Sequence, residues 1–405
     1  MPMDRDLERQ LCGLRTPCYV LDEDQYLENI REFRFHFEQQ WGGRCIFGYS
    51  VKTNHLRWPI LLAREEGFLA EVVSPDEYEM VRGLGFADTE IIYNGPQKRD
   101  TVLTAMQQGA LVNLDSLSEC ETVAAAARKG ELEGASVGLR VNFDLEARCP
   151  GETTCGSLVS RFGICEENGD LERALSLLRA AGVRVAGLHM HQSSSSRSLG
   201  VFRAIAEEAV ALARRYGLKD LDFVDMGGGY FGGNFFPGKP SVPAYAETIC
   251  GALKQGFDPG RTALVLEPGA GILATAMDYL TSVLSFRDVR GKTVVTLDGT
   301  LLHINPFMHP HPTPFTLLRP GAPMEEGEAG RWIFAGSTCM ELDRFQPRDI
   351  RLRPEADSRF LFHCCGAYMA THNSNFINAA PVIYRKKGGA FSLLREKDIP
   401  LMGER

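Results

Sequence analysis

A lone lysine closes an apolar run in Phe47-Gly48-Tyr49-Ser50-Val51-Lys52-Thr53-Asn54. An amine at the end of a buried strand can lose its charge by desolvation and become a nucleophile. That is what a Schiff-base lysine requires. A surface lysine ending an ordinary strand would leave the same local pattern, so Lys52 must be judged by its company. Asp225-Met226-Gly227-Gly228-Gly229 supplies three consecutive glycines. Their backbone N–H groups can approach an anion closely, and phosphate is the usual guest of such a nest. Glu267-Pro268-Gly269 brings a carboxylate that can pair with a protonated ring nitrogen, or serve as a helix cap or salt bridge.

His189-Met190-His191 places two imidazoles on one face of a strand. A metal pair would need further ligands at zinc spacing, and none follows, so no metal site is expected. His191 is read as packing on an aromatic cofactor, and His189 as a satisfied core histidine. Ser193 to Ser196 offer hydroxyls to a phosphate. A lysine, a phosphate nest, a carboxylate and a ring-facing histidine together fit pyridoxal 5′-phosphate (PLP).

Positioning these groups requires a scaffold that collects strand ends. Short apolar runs near 44–51, 70–74, 91–95, 111–115, 137–142, 185–190, 222–226 and 262–267 alternate with helical patterns. Such alternation predicts a parallel sheet with crossover helices, and its extent fits a (β/α)8 barrel of roughly 250 residues. The polar residues Lys52, Ser74, Asn94, Asp115, Asn142, His191, the glycine run and Glu267 fall at the C-terminal strand ends. Barrel enzymes build their active sites there. Beyond residue 285 the pattern changes to strands near 282–287, 293–297, 331–335, 360–363 and 391–395. These predict a second, mainly β domain. The fold class is therefore α/β, a (β/α)8 barrel over 36–285 with a β domain formed by 1–35 and 286–405. A further strand over Pro17–Leu21 could join either domain, and a helix over Asp22–Phe35 follows it.

Composition bounds the function. The 405-residue chain is 44% hydrophobic and 24% charged, with a net charge of −8. It has no basic stripe for nucleic acid and no apolar run near the roughly 20 residues that span a bilayer. Eleven scattered cysteines, an odd number, do not read as a secreted disulfide framework. The polar, acidic start is unlike a signal peptide, so cytoplasmic residence is expected.

The chain resembles the fold-type III PLP-dependent decarboxylases, the family of diaminopimelate, ornithine and arginine decarboxylases, whose fold is alanine racemase-like. Tyr49-Ser50-Val51-Lys52-Thr53-Asn54 is similar to its Tyr-Ala-x-Lys-Ala-Asn motif, and Gly187-Leu188-His189-Met190-His191 to its Gly-Leu-His-x-His. Asn113-Leu114-Asp115-Ser116, Ser160 to Ile164, Asp225 to Gly229, Glu267-Pro268-Gly269, Cys339-Met340-Glu341-Leu342-Asp343 and Gly366-Ala367-Tyr368 match in order. The resemblance implies that Lys52 anchors PLP, His191 stacks on its ring and Glu267 keeps its nitrogen protonated. It implies that Ser194, Gly228, Gly229, Gly269 and Tyr368 hold the phosphate, with Arg140 near the ring. Cys339 or Lys52 would act as proton donor, with Cys339 delivered by a partner subunit in a head-to-tail homodimer.

The chain also departs from the family pattern. Ala270 replaces the arginine of Glu-Pro-Gly-Arg, Asn305-Pro306-Phe307-Met308-His309 replaces Arg-Pro-x-x-Tyr, and Met340 replaces an acid. By resemblance those side chains hold the far end of a diamino acid. Their loss predicts a larger or conjugated substrate, such as a siderophore precursor or a carrier-protein-bound aminoacyl group. Arg197, Asn305, His309, Met340 and Asp343 are the candidate substrate contacts. Alternatives are decarboxylation of free diaminopimelate, lysine or ornithine, and an amino-acid racemase of the same fold.

Overall fold

The computed structural model describes residues 4–154, 159–233, 236–307, 313–319, 327, 330–345, 353–372 and 376–395. The chain divides into two compact units, Asn29–Ile272 and Met1–Glu28 with Leu273–Arg405.

The first unit is the barrel. Its strands are β1 (Cys45–Ser50), β2 (Leu69–Val72), β3 (Ile91–Tyr93), β4 (Leu111–Leu114), β5 (Ser136–Asn142), β6 (Arg184–His189), β7 (Phe223–Asp225) and β8 (Ala263–Leu266). All pair in parallel, and the ring closes through β8 on β1 and β4 on β5. Each of the expected runs became one of these strands. The crossover helices start where short polar side chains can cap free N–H groups. Ser74, Ser116 and Ser198 accept from Glu77, Glu119 and Val201 respectively. Small residues let the barrel floor close: a Cβ on Gly187 of β6 would lie 2.3 Å from the Phe223 ring of β7.

Among the described residues the second unit is a nine-stranded sheet. Cys18–Asp22 settles into it, antiparallel to Met277–Leu280 and parallel to Val382–Lys386. The boundary expected at 285/286 lies instead at Ile272/Leu273. Met277–Val289 is one continuous strand, paired with Cys18–Leu21, Lys292–Leu297 and Arg359–Phe362, so it belongs to the sheet from its first residue. At the other boundary, the helix Glu23–Trp41 carries Phe33 and Phe37 against Tyr230 of the barrel unit, with centroids 5.2 and 5.9 Å away. The unit therefore begins before residue 36. Phe315–Leu318 and Val382–Lys387 are strands the sequence pattern did not reveal. Among the described residues no helix is long and apolar enough to cross a membrane.

Candidate active site

Lys52 lies in a tight turn, Val51–Thr53, directly after β1. The Tyr49 hydroxyl donates to the Asn54 carbonyl at 2.6 Å and fixes that turn. Gly269 packs on its other side, where a Cβ would lie 2.1 Å from Thr53 Oγ1. The amine donates to both carboxylate oxygens of Glu71, at 2.9 and 2.6 Å. Burial was expected to set the character of this amine. The structure gives it a carboxylate partner instead, and its side chain keeps 38% exposure while that of Glu71 keeps 1%. Lys98 is the contrasting case. It is fully buried, with Nζ bonded to Gly95 O and Glu119 at 2.8 and 3.0 Å, and is sealed from any ligand.

A polar network runs inward from that pair. Asn94 Nδ2 bridges Glu71 Oε1 at 3.1 Å and Glu267 Oε1 at 2.6 Å. Asn113 Nδ2 donates to Asn94 Oδ1 at 2.8 Å and to Asp225 Oδ2 at 3.2 Å. The ring nitrogen of His189 is 3.5 Å from Glu267 Oε2, so His189 faces the site carboxylate rather than closing an unrelated core bond. Burial alone would raise Glu267, but His189, Lys52 and a hydrogen bond from Asp225 outweigh it and hold this carboxyl far below its usual range. Burial and the neighbouring Glu267 charge push Asp225 the other way, well above the ordinary aspartate range. Two carboxyls with pKa values driven apart have separate tasks. Asp225 keeps the proton, and Glu267 keeps the charge. His189, Asp225 and Glu267 are also close enough to hold a cation, with ligand atoms within 4.8 Å of one another. The shared proton accounts for their closeness.

His191 Nδ1 accepts from Gly228 N at 3.3 Å. A Cβ on Gly227, at φ +66°, would lie 2.4 Å from the His191 side chain, and one on Gly228 would lie 2.5 Å from the Glu267 carbonyl. Both positions therefore require glycine. Burial, Arg140, His189 and Lys52 push the imidazole down to about 3, so it is a neutral, flat ring. Arg140 donates to Asp115 Oδ1 at 3.0 Å, and its guanidinium stands 4.7 Å from the Phe162 ring centroid. It makes an ion pair beside the site. The Ser194 hydroxyl donates to the Glu152 carbonyl at 3.0 Å and accepts from Arg197 N at 3.0 Å, so it ties its own loop to the segment around Glu152.

Cys339, Asn305, Met340, Asp343 and Tyr368 belong to the sheet unit. Cys339 is an exposed free thiol. Asp343, expected as a substrate contact, is instead buried and occupied. It accepts from Leu301 N at 2.7 Å, Thr338 N at 3.1 Å and Thr338 Oγ1 at 2.6 Å. It is the clamp that shapes the Cys339 loop. Asn305 is buried, with its N–H on Leu301 O at 2.7 Å. Met340 N approaches Thr338 Oγ1 at 3.3 Å. Tyr368 adopts φ +67°, an uncommon conformation for an aromatic residue. His309 lies outside the described residues. Asp343→Ala leaves two partly buried N–H groups without their acceptor and is expected to cost roughly 1–2 kcal/mol. Urea unfolding checks it, and an unchanged midpoint would remove the clamp.

Glu71 was not singled out from sequence, and Asn113 entered only as the first residue of the Asn113-Leu114-Asp115-Ser116 match, with no role. Both lie inside short strands, Glu71 three positions before Ser74 and Asn113 two before Asp115. Glu77 is a further titrating group near Lys52. Burial raises it to about 7, against a hydrogen bond from Val73 N that lowers it. A carboxyl raised on folding stabilises the native state fully below its unfolded pKa, and that contribution disappears as pH rises through 7. The difference is roughly 3 kcal/mol. Glu77→Gln is expected to flatten the loss of stability between pH 5 and 8, as read by urea midpoints across that range.

The site can hold PLP. It offers an accessible amine, a neutral flat imidazole, a glycine nest and a carboxylate held ionised at the barrel's centre. The comparisons agree. Residues 27–274 match the family model for the pyridoxal-dependent decarboxylase, pyridoxal binding domain. The chain is 27% identical over 371 residues to a probable chloroplastic diaminopimelate decarboxylase of Oryza sativa subsp. japonica, covering 89% of this chain and 73% of that protein. It is 26% identical over 393 residues to a diaminopimelate decarboxylase of Zymomonas mobilis, covering 94% and 90%. The crystal structure of a diaminopimelate decarboxylase from M. jannaschii in complex with L-lysine superposes with a TM-score of 0.84 at 22% identity, covering 97% of this chain and 92% of that one. The network around Lys52 and Glu267 thus has a family to belong to: this chain is a pyridoxal-dependent decarboxylase of fold-type III, a PLP-dependent carboxy-lyase acting on an amino acid.

Proposed function

We propose that the chain removes the α-carboxylate of a free amino acid of the diaminopimelate, lysine or ornithine class, as a homodimer with shared active sites. The observation that carries this reading is the Lys52–Glu71–Asn94–Glu267 network, which joins a reactive amine to a carboxylate kept ionised. When bound, PLP supplies an electron sink for the pair left behind as carbon dioxide departs. The chain's residues do the rest. Glu71 is placed to take a proton from the Lys52 amine, which must be neutral to react. Glu267 would hold a proton on the ring nitrogen. His191, uncharged, would offer its face to the ring without competing for that charge. The N–H groups of the Gly227–Gly229 turn suit the phosphate.

Cys339 would return a proton to the substrate carbon. Its exposure, with Leu342 at 69%, Ile377 at 61% and Phe307 at 54% in the same unit, supports a loop that is covered by a second copy. The relatives are named as diaminopimelate decarboxylases. That supports a free amino acid over the conjugated or carrier-bound substrate expected from Ala270, Asn305 and Met340. Carbon dioxide release by the PLP-loaded enzyme from meso-diaminopimelate, L-lysine, L-ornithine and acylated conjugates is the test. The highest kcat/KM is expected with a free amino acid. A conjugate that outran all of them would overturn this, and loss of chirality without carbon dioxide would indicate a racemase.

A further inference from the structure

Lys98 is a charged residue that no ligand can reach: its side chain is fully buried, and among the described residues no other lysine is. Taking an ammonium out of water is costly. Apolar residues of similar volume usually serve stability as well as a buried ion pair does, or better. A cation kept in such a place therefore calls for a further task. The loop that carries it leaves β3 by an irregular turn. Gly95 adopts φ +91°, and a Cβ there would lie 2.0 Å from Val73 O, just beyond β2. Asn94 N donates to Val72 O at 2.8 Å, so the turn is seated on the end of β2.

Two arms leave Lys98, and each ends in the candidate active site. The first runs through its ammonium, which donates to Gly95 O at 2.8 Å and so closes the turn that carries Asn94. Asn94 is the bridge between Glu71 and Glu267. The second runs through Glu119, in the first turn of the helix Leu117–Arg128. Its carboxylate accepts from Lys98 Nζ at 3.0 Å, from Lys98 N at 3.1 Å and from Asp115 N at 2.8 Å. Asp115 in turn accepts from Arg140, whose guanidinium reaches the His191 carbonyl at 3.5 Å. The loop is braced from behind, where Thr101 Oγ1 donates to Lys98 O at 2.5 Å and lies 2.8 Å from the Tyr93 hydroxyl. An apolar side chain at position 98 would leave the Gly95 carbonyl without this donor and Glu119 without its counter-charge. One buried amine thus joins the ends of β3 and β4 and, through them, both halves of the polar network.

We propose that Lys98, paired with Glu119, is a positioning residue that holds Asn94 and Asp115 at the spacing the Lys52–Glu267 network and Arg140 require. This rests on the amino-acid decarboxylase reading. PLP-loaded protein is followed by its urea midpoint, by kcat and KM on meso-diaminopimelate, L-lysine and L-ornithine, and by the circular dichroism of the cofactor's absorption band. Lys98→Met keeps the length of the side chain and removes its charge and donor. It is expected to lower the midpoint, because Glu119 loses its partner. Lys98→Met combined with Glu119→Gln removes both charges and keeps an oxygen for the loop N–H groups, so most of the midpoint should return. In both proteins kcat should fall about 10–100-fold, the scale of a small misplacement at a reacting centre, with KM within about threefold. The cofactor band should weaken at unchanged PLP occupancy. A pair that only stabilises the fold would give the double variant the parent's kcat and band, and that result overturns the proposal. So does a loss confined to KM. If the double variant does not fold, Glu119→Gln alone decides: a loss of about fivefold or more in kcat is expected, and an unchanged kcat overturns the proposal. If no form releases carbon dioxide from any amino acid, the decarboxylase reading falls, and the cofactor band of the double variant still decides the role of Lys98.

Discussion

Lys52→Arg is expected to abolish decarboxylation, with a fall in kcat on the order of 10⁴-fold or more, as for removal of other covalent nucleophiles. The substitution is chosen to separate chemistry from architecture. Arginine keeps a cation against Glu71, whose carboxylate is buried and would be left unpaired by alanine. The guanidinium stays protonated and cannot form the imine with PLP. Borohydride reduction followed by mass spectrometry gives the decisive reading. In the unmodified protein the cofactor's mass should become fixed on the peptide carrying Lys52. In Lys52→Arg that adduct should vanish while the urea midpoint moves little. An adduct persisting on another lysine would sink the assignment. Lys98 is the rival to watch, although Gly95 and Glu119 already occupy its amine.

The sequence made the barrel readable because its strands are buried on both faces. Such strands are continuous apolar runs, and each ends in a polar residue that a barrel needs at its C-terminal rim. Lys52, His191 and Glu267 were visible for that reason. Glu71 was hidden for the same reason. It lies within Leu69–Val72, where an inward-facing carboxylate reads as an interruption of the strand rather than as a partner of Lys52. The role of His189 was hidden differently. Alternation along β6 gave its face, but no local pattern says that Glu267 will arrive opposite it from β8. The sheet unit was harder still. Phe315–Leu318 follows Pro312 and Pro314, residues that ordinarily mark a strand's absence. It pairs with Arg359–Phe362, far away in the chain, and only that pairing makes it a strand. Asp343 was drawn toward the substrate by its place in a motif, whereas the donors that converge on it come from residues 301 and 338.

Mixing two inactive variants should restore activity if Cys339 serves a partner's barrel. Cys339→Ala alone is expected to lower kcat by about 10²–10⁴-fold, the usual share of a positioned proton donor. Lys52→Arg alone should be inactive, as argued above. In a symmetric dimer whose sites each combine one subunit's barrel with the other's loop, a mixed dimer pairs one intact barrel with one intact loop. The remaining site in that dimer carries both lesions. Random exchange of equal amounts makes half of the dimers mixed, so about a quarter of the original activity should return. The recovery should grow with the rate of subunit exchange and disappear when either variant is omitted. If each site were built from a single chain, mixing would restore nothing, because every site would retain a lesion. The exposure of Cys339 at the tip of a loop clamped by Asp343 favours recovery, since a clamped loop presents its thiol outward in a fixed shape. A thiol serving its own barrel has no need of that exposure.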